Sequence, residues 1–381
     1  MAGARNNEFR ELVSPFLRSK IAEMEERYGA DDPKLQAITR LYLRDPLEDI
    51  IYPKERRRHY ESEVNLQIDG QIVAGVERLY KRTVLIEPTT VCAAHCRWCL
   101  RGQYPIKTMT GDEIAVATKF IGSPDLRDDV NEVLITGGDP LMSQPLLALT
   151  LSEIRRNAPN IRTVRIGTRV IFQEPKKINS NLLDILARYP DFNFEFGVNV
   201  NHPIEFWPEC IEAIHRLQDN GVRFYNQHPL LRGVNDDLDT LIELYDLLRE
   251  HEIEAHYIFH AIPLRGMNHH RTSLREGAKL AGKLSSCGHF SGRAKPRYAV
   301  LSDIGKIVIY DGVILDYRES DNAFLLQSAF KLEDRQKWVP GWQLPESVDI
   351  DNEGFMRTWY KDAILDQKYS SENVNSFHLS N

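Results

Sequence analysis

From about residue 82 onward, short β-rich runs alternate with amphipathic helices over some 220 residues. TVLIEP, NEVLITGG, RTVRIGTR, NFEFGVNVN, VRFYNQHPL and EAHYIFHAI each read as a buried strand that ends in polar or Gly/Pro residues. Between them, helices such as DLDTLIELYDLLREH set Leu238, Leu241, Ile242, Tyr245 and Leu248 on one face. Strand–helix alternation of this length means parallel strands joined by right-handed crossovers, hence an α/β chain forming a complete or partial (β/α) barrel. In such a barrel the chemistry gathers at the C-terminal ends of the strands, where the unusual residues of this chain cluster.

The flanks read differently. Residues 1–80 are rich in charge and helix formers, with Phe16, Leu17, Ile21 and Met24 spaced as one helical face, and form an expected helical extension. The run KERRRHYESE reads as a solvated face, with a phosphate or partner site as the alternative. The barrel is expected over 81–312. A small appendage over 313–381 carries three of the five tryptophans and ends in a polar tail, expected to be disordered from about Tyr369. With 48 Lys and Arg against 55 Asp and Glu, the net charge of −7 gives no overall reason to bind nucleic acid or an anionic membrane. No run approaches the roughly 18 apolar residues of a membrane span. The opening MAGARNNEFRELVSPFL does not read as a signal peptide, so the expectation is a cytoplasmic protein.

Five cysteines, an odd number, argue against a disulfide framework. Cys92, Cys96 and Cys99 lie within eight residues, at spacings of x3 and x2, on the loop after the first strand. Three thiolates can hold three corners of a [4Fe–4S] cube and leave one iron open, whereas a closed electron-transfer cluster wants four. A zinc site completed by His95 or a distant residue is the other reading. Cys210 and Cys287 read as ordinary buried or loop thiols. Gly137 and Gly138 after the strand VLIT allow close backbone approach, with N–H groups expected to be exposed to a ligand, or else a turn that Asp139 caps.

The Cys-x3-Cys-x2-Cys loop resembles the signature of the radical S-adenosylmethionine (SAM) enzymes. The ordered set HCRWCLRGQYP, LITGGDPLM, RIGTRVIFQEPKKI, NVNHPIEF, NQHPLLRGVND, HYIFHAIPLRG, HRTSLREG and SGRAKPRYAV ahead of GKIV is similar to the lysine 2,3-aminomutase branch over roughly residues 78–310. The resemblance implies a partial (β/α)6-type TIM barrel with a [4Fe–4S] cluster on the three cysteines. SAM would sit at the open iron, touched by Gly137, Gly138, Asp139, Arg169 and Asn199. Arg101 matches the arginine that holds a substrate α-carboxylate. Lys306 falls near the lysine that carries pyridoxal phosphate as a Schiff base, although the loop before it is two residues shorter and has one glycine in place of four. Arg78 and Arg82 keep the i, i+4 spacing of a phosphate-gripping pair; an alignment shifted by one residue puts Thr83 there instead. A reductant such as flavodoxin or ferredoxin is implied, and a homo-oligomer is expected.

The chain also departs from the lysine enzyme. Where that branch has two aspartates for the distal ammonium, Ile262 and Leu301 stand here. A buried ammonium without a carboxylate costs several kcal/mol. The expected substrate is thus a different amino acid, with a neutral or apolar side chain or an anionic one met by Arg265, Arg293, Lys295 or Arg297. His260, His269 and His270 are candidates for the same mouth, or ordinary structural histidines. No cysteine follows Cys287, so the branch's C-terminal zinc site is not expected. Three functions compete: a pyridoxal phosphate-dependent 2,3-aminomutase, a radical SAM enzyme without pyridoxal phosphate (an epimerase, a dehydrogenase or a fragmenting enzyme), and a non-catalytic zinc- or cluster-binding protein.

Overall fold

The computed structural model describes residues 10–52, 66–68, 71–73, 75–78, 80–102, 106–287, 289–310 and 313–364. The KERRRHYESE run and the tail from Tyr369 lie outside the described residues.

Two helices open the chain. α1 (Pro15–Tyr28) starts where the Ser14 side chain accepts from Leu17 N with proline at the first position, and it ends at Gly29 at φ 84°. α2 (Pro33–Tyr42) is capped by Asp32 and buries Leu35, Ile38, Leu41 and Tyr42. The extension is not wholly helical as expected. β1 (Leu66–Ile68) and β2 (Gln71–Val73) form an antiparallel hairpin. β3 (Val76–Glu77) then pairs with the first barrel strand, after Gly75 at φ 66° turns the chain into it.

The main sheet has nine strands among the described residues, in the order β11-β10-β9-β8-β7-β6-β5-β4-β3. Its parallel part runs through β4 (Thr83–Thr89), β5 (Glu132–Gly137), β6 (Thr163–Thr168), β7 (Asn193–Val198), β8 (Arg223–Leu230), β9 (Ile253–His260) and β10 (Arg297–Ser302). Helical crossovers separate them: α3 (Gly111–Ile121) and α4 (Pro124–Arg127), α5 (Gln144–Asn157), α6 (Val170–Gln173) and α7 (Ser180–Ala187), α8 (Pro208–Gln218), α9 (Leu238–Glu250) and α10 (Leu274–Ser286). Six βα units follow one another, the open (β/α)6 arrangement expected, and β11 (Gly305–Val308) closes one edge as the antiparallel partner of β10. Alternation along the strands sorts the side chains. Val133, Ile135, Val164 and Ile166 are buried, while Leu134, Thr136, Arg165 and Gly167 line the concave face.

The C-terminal region is a second sheet, β12-β13-β15-β14, from β12 (Ile314–Arg318), β13 (Ala323–Lys331), β14 (Val348–Ile350) and β15 (Phe355–Lys361), with α11 (Leu332–Trp338) between β13 and β14. It is tied to the loop after β9. Arg271 donates from Nε to Ala261 O and from Nη2 to Lys361 O, both at 2.9 Å, and Leu274 N donates to Asp362 Oδ1 at 2.6 Å. No helix among the described residues is long and apolar enough to cross a membrane.

Candidate active site

Cys92, Cys96 and Cys99 line one cavity of about 590 Å³, together with residues at the C-terminal ends of β5 to β9. The loop that carries them is shaped by the N-terminal segment. His95 N donates to Leu12 O at 2.8 Å, and Arg97 N to Leu41 O at 2.9 Å. The His95 ring donates from Nδ1 to Arg10 O at 2.7 Å. The side chain of Arg97, which lies between Cys96 and Cys99 in the sequence, is wholly buried and donates from Nε to Glu48 Oε1 at 2.9 Å and from Nη2 to Glu48 Oε2. Burial pushes all three thiols above their ordinary value. Cys96 rises to about 12, with the Arg169 guanidinium pulling the other way. Three soft donors that line one cavity from one short loop suit a metal cluster, because a bound metal supplies the positive charge that thiolates need there.

The Gly137–Gly138–Asp139 turn packs on that loop from below. A Cβ on Gly138 would lie 2.4 Å from Val91 O, and one on Gly137, at φ 114°, would lie 2.4 Å from Thr89 O. The Gly138 N–H donates to Thr89 O at 2.7 Å, so it is not exposed to a ligand as expected but spent on the strand that leads into the cysteines. Asp139, 2% exposed, accepts from Thr168 Oγ1 and from the N–H groups of Leu141, Arg169 and Val170. Burial raises its pKa and these donors oppose the rise. It therefore caps the turn and also fixes the backbone at Arg169.

Arg169 lies between the Tyr42 and Trp98 rings, 5.4 and 5.5 Å from their centroids. It donates to the Tyr42 hydroxyl, the Glu205 carboxylate and the Asn199 carbonyl. Burial would lower its pKa, but Glu205 and Tyr42 outweigh that and keep it charged. Its Nε is buried with no partner among the described residues, a donor on the cavity wall beside the cysteines that suits a ligand carboxylate. Arg169 and Asn199 thus fit the amino-acid end of SAM.

Lys306 is the second residue of β11, and its Nζ lies 4.0 and 5.0 Å from the ring centroids of Tyr257 and Phe259. Ile262 and Leu301 line the same cavity, as does Arg101, which is paired with Glu87. Phe330 of β13 brings the C-terminal sheet onto the wall. The arginine pair is a correction: neither Arg78 nor Arg82 lines the cavity. Arg78 is buried against Asp129 at 3.3 Å and Lys81 O at 3.0 Å, and Arg82 is exposed while its carbonyl accepts from Asn131 and Glu132. Tyr80, Thr83 and Arg165 occupy that wall instead. Lys306 thus presents a primary amine among aromatic rings to a cavity that Tyr80, Thr83 and Arg165 also line, a donor set that suits a group carrying a carbonyl and a phosphate. Arg265, Lys295 and Arg297 are also off the cavity lining, and the Arg293 side chain lies outside the described residues. His260 lines it; His269 and His270 are buried elsewhere, ring against ring at 3.9 Å. Cys210 is buried, and Cys287 ends α10 at the surface.

Sequence reasoning missed Tyr42, Glu205 and Gln173. The last donates from Nε2 to Cys96 Sγ at 3.3 Å. The available signal was a glutamine in an otherwise apolar turn, VIFQ.

The Radical SAM superfamily model matches residues 86–248. Among solved structures, a radical SAM methyltransferase from Sphaerobacter thermophilus is similar with a TM-score of 0.44 and 20% identity, over 59% of this chain and 68% of that one. By the superfamily model the central part of the chain is similar to the radical SAM enzymes. A protein of Aquifex aeolicus (strain VF5) described as "Putative L-lysine 2,3-aminomutase" is 32% identical over 297 residues, 76% of this chain and 74% of its own length. The glutamate 2,3-aminomutase of Clostridioides difficile (strain 630) is 28% identical over 295 residues, 77% of this chain and 65% of its own length. The chain belongs to the lysine 2,3-aminomutase family.

Proposed function

We propose that this protein is a pyridoxal phosphate-dependent 2,3-aminomutase that moves the α-amino group of an amino acid other than lysine to its β-carbon. The observation that carries the reading is a single cavity lined by three cysteines, Arg101 and Lys306, with apolar Ile262 and Leu301 where the family's lysine enzyme has aspartates. Cys92, Cys96 and Cys99 would hold the cluster, Arg169 and Asn199 the SAM, and Lys306 the pyridoxal phosphate. When bound, these groups supply a carbon radical for hydrogen abstraction and a carbonyl that takes up the migrating amine.

The chain's own residues do the rest. Arg101 meets the substrate carboxylate and fixes which hydrogen faces the radical source, and the Phe259–Leu301 wall excludes water from the reacting carbons. The side-chain end of the substrate meets Ile262 and Leu301, which favours a neutral group.

The test is anaerobic purification, the ultraviolet–visible spectrum, then borohydride and peptide mapping. A pyridoxyl adduct on Lys306 beside iron–sulfur absorbance is the expected result. Iron–sulfur absorbance without any adduct replaces this reading with a radical SAM enzyme lacking pyridoxal phosphate, the alternative that the displaced Arg78 and Arg82 favour.

A further inference from the structure

Gln173 is the last residue of the four-residue α6, and its three predecessors, Val170, Ile171 and Phe172, are fully buried. A primary amide in such a turn costs about 1–3 kcal/mol unless it finds a partner. Gln173 is 2% exposed, and its Nε2 donates to Cys96 Sγ at 3.3 Å. The rest of the residue is pinned. Its N–H donates to Arg169 O at 3.1 Å, and its carbonyl accepts from the hydroxyl of Ser14, the cap of α1. The amide is therefore held against the thiol by the N-terminal helix on one side and by the Arg169 turn on the other.

We infer that Gln173 is a positioning residue for the iron–sulfur centre: its N–H···S bond to Cys96 raises the reduction potential of the cluster and so eases the one-electron reduction that starts each turnover. Reduction adds negative charge that spreads onto the cluster sulfurs, and a donor aimed at one of them stabilises the reduced state more than the oxidised one. The site is dry, with Cys96 8% exposed, so little solvent screens the dipole. The reductant would be a one-electron protein donor such as a flavodoxin or ferredoxin.

The inference rests on the three cysteines holding a cluster, and the experiment separates the two. Wild-type protein, Gln173→Leu and Gln173→Glu are reconstituted anaerobically, iron and sulfide are counted, and the cluster midpoint is titrated by electron paramagnetic resonance. At equal iron content, Gln173→Leu is expected to hold about tenfold less reduced cluster at a fixed poise, equivalent to a shift of ~59 mV to more negative potential for a one-electron couple. Gln173→Glu is expected to shift further, because a carboxylate replaces the donor. Leucine and wild-type midpoints that coincide at full loading overturn the role of Gln173 and leave the cluster reading intact. Wild-type protein that takes up no iron overturns both. Should the variants load poorly, wild-type protein labelled with 15N-glutamine supplies the readout: a 15N hyperfine coupling to the reduced cluster is expected, and its absence overturns the bond.

Discussion

Leu301 and Lys306 sit directly opposite each other on the β10–β11 hairpin, so their side chains share one face of the sheet. The amine that would carry the cofactor therefore has an aliphatic neighbour where a carboxylate would otherwise meet the distal end of the substrate.

Leu301→Asp should change which substrate is accepted. A carboxylate at this position gives a substrate ammonium its missing partner, and it should raise kcat/KM for lysine relative to the best neutral amino acid by at least about tenfold, or ~1.4 kcal/mol. Competition assays with paired amino acids measure the ratio; an unchanged ratio removes Leu301 from the specificity wall.

Arg97→Ala should cost about 3–5 kcal/mol of stability, because it strands the largely buried Glu48 carboxylate. Urea unfolding of the purified apoprotein checks the number. Iron uptake on reconstitution should fall with it, since the same guanidinium holds the segment between Cys96 and Cys99.

Tyr42→Phe removes a hydroxyl that accepts from Arg169 and lies 3.3 Å from Glu205. The loss of one such bond, about 1 kcal/mol, should weaken SAM binding roughly fivefold, with little change in substrate KM. Equilibrium binding of SAM to the reconstituted protein decides it; an equal loss for substrate would mark Tyr42 as a general support.

Acid should destabilise the fold through its buried histidines. His228 is fully buried, its Nδ1 donating to Pro229 O at 3.0 Å and its Nε2 accepting from the Tyr245 hydroxyl at 3.1 Å. Burial lowers its pKa to about 4, with the Pro229 carbonyl opposing that shift. Between about pH 6.5 and 4 the unfolded chain binds a proton that the folded one refuses, so stability is full above pH 6.5 and falls as the pH drops. The slope should reach about 1.4 kcal/mol per pH unit for each such histidine, and unfolding midpoints measured between pH 7 and pH 4.5 test it. His228→Gln should flatten part of the slope.

The strands and the cysteine loop were legible because a two-residue period bounded by Gly and polar residues is a local signal. Arg169, Asn199, Lys306, Leu301 and Ile262 reach the cavity because each lies at a strand end or in an adjoining loop that the period locates. Arg78 and Arg82 rest on the resemblance alone; Arg78 directly follows β3 and bonds Asp129, and Arg82 directly precedes β4 and is exposed. Tyr42, Glu205 and Gln173 stayed hidden since their partners lie 127, 36 and 77 residues away. Nothing local encodes such pairings.

The grip of Arg10, Leu12, Leu41 and Glu48 on the segment around His95 and Arg97 has a consequence for the cysteine motif itself. Those four residues precede all three thiols in the sequence and lie outside the motif, so the shape of the loop is set by chain that the motif does not contain. The short cysteine signature is thus portable as text but not as an object. Grafted elsewhere without its leading segment, it would keep its sulfurs and lose their arrangement.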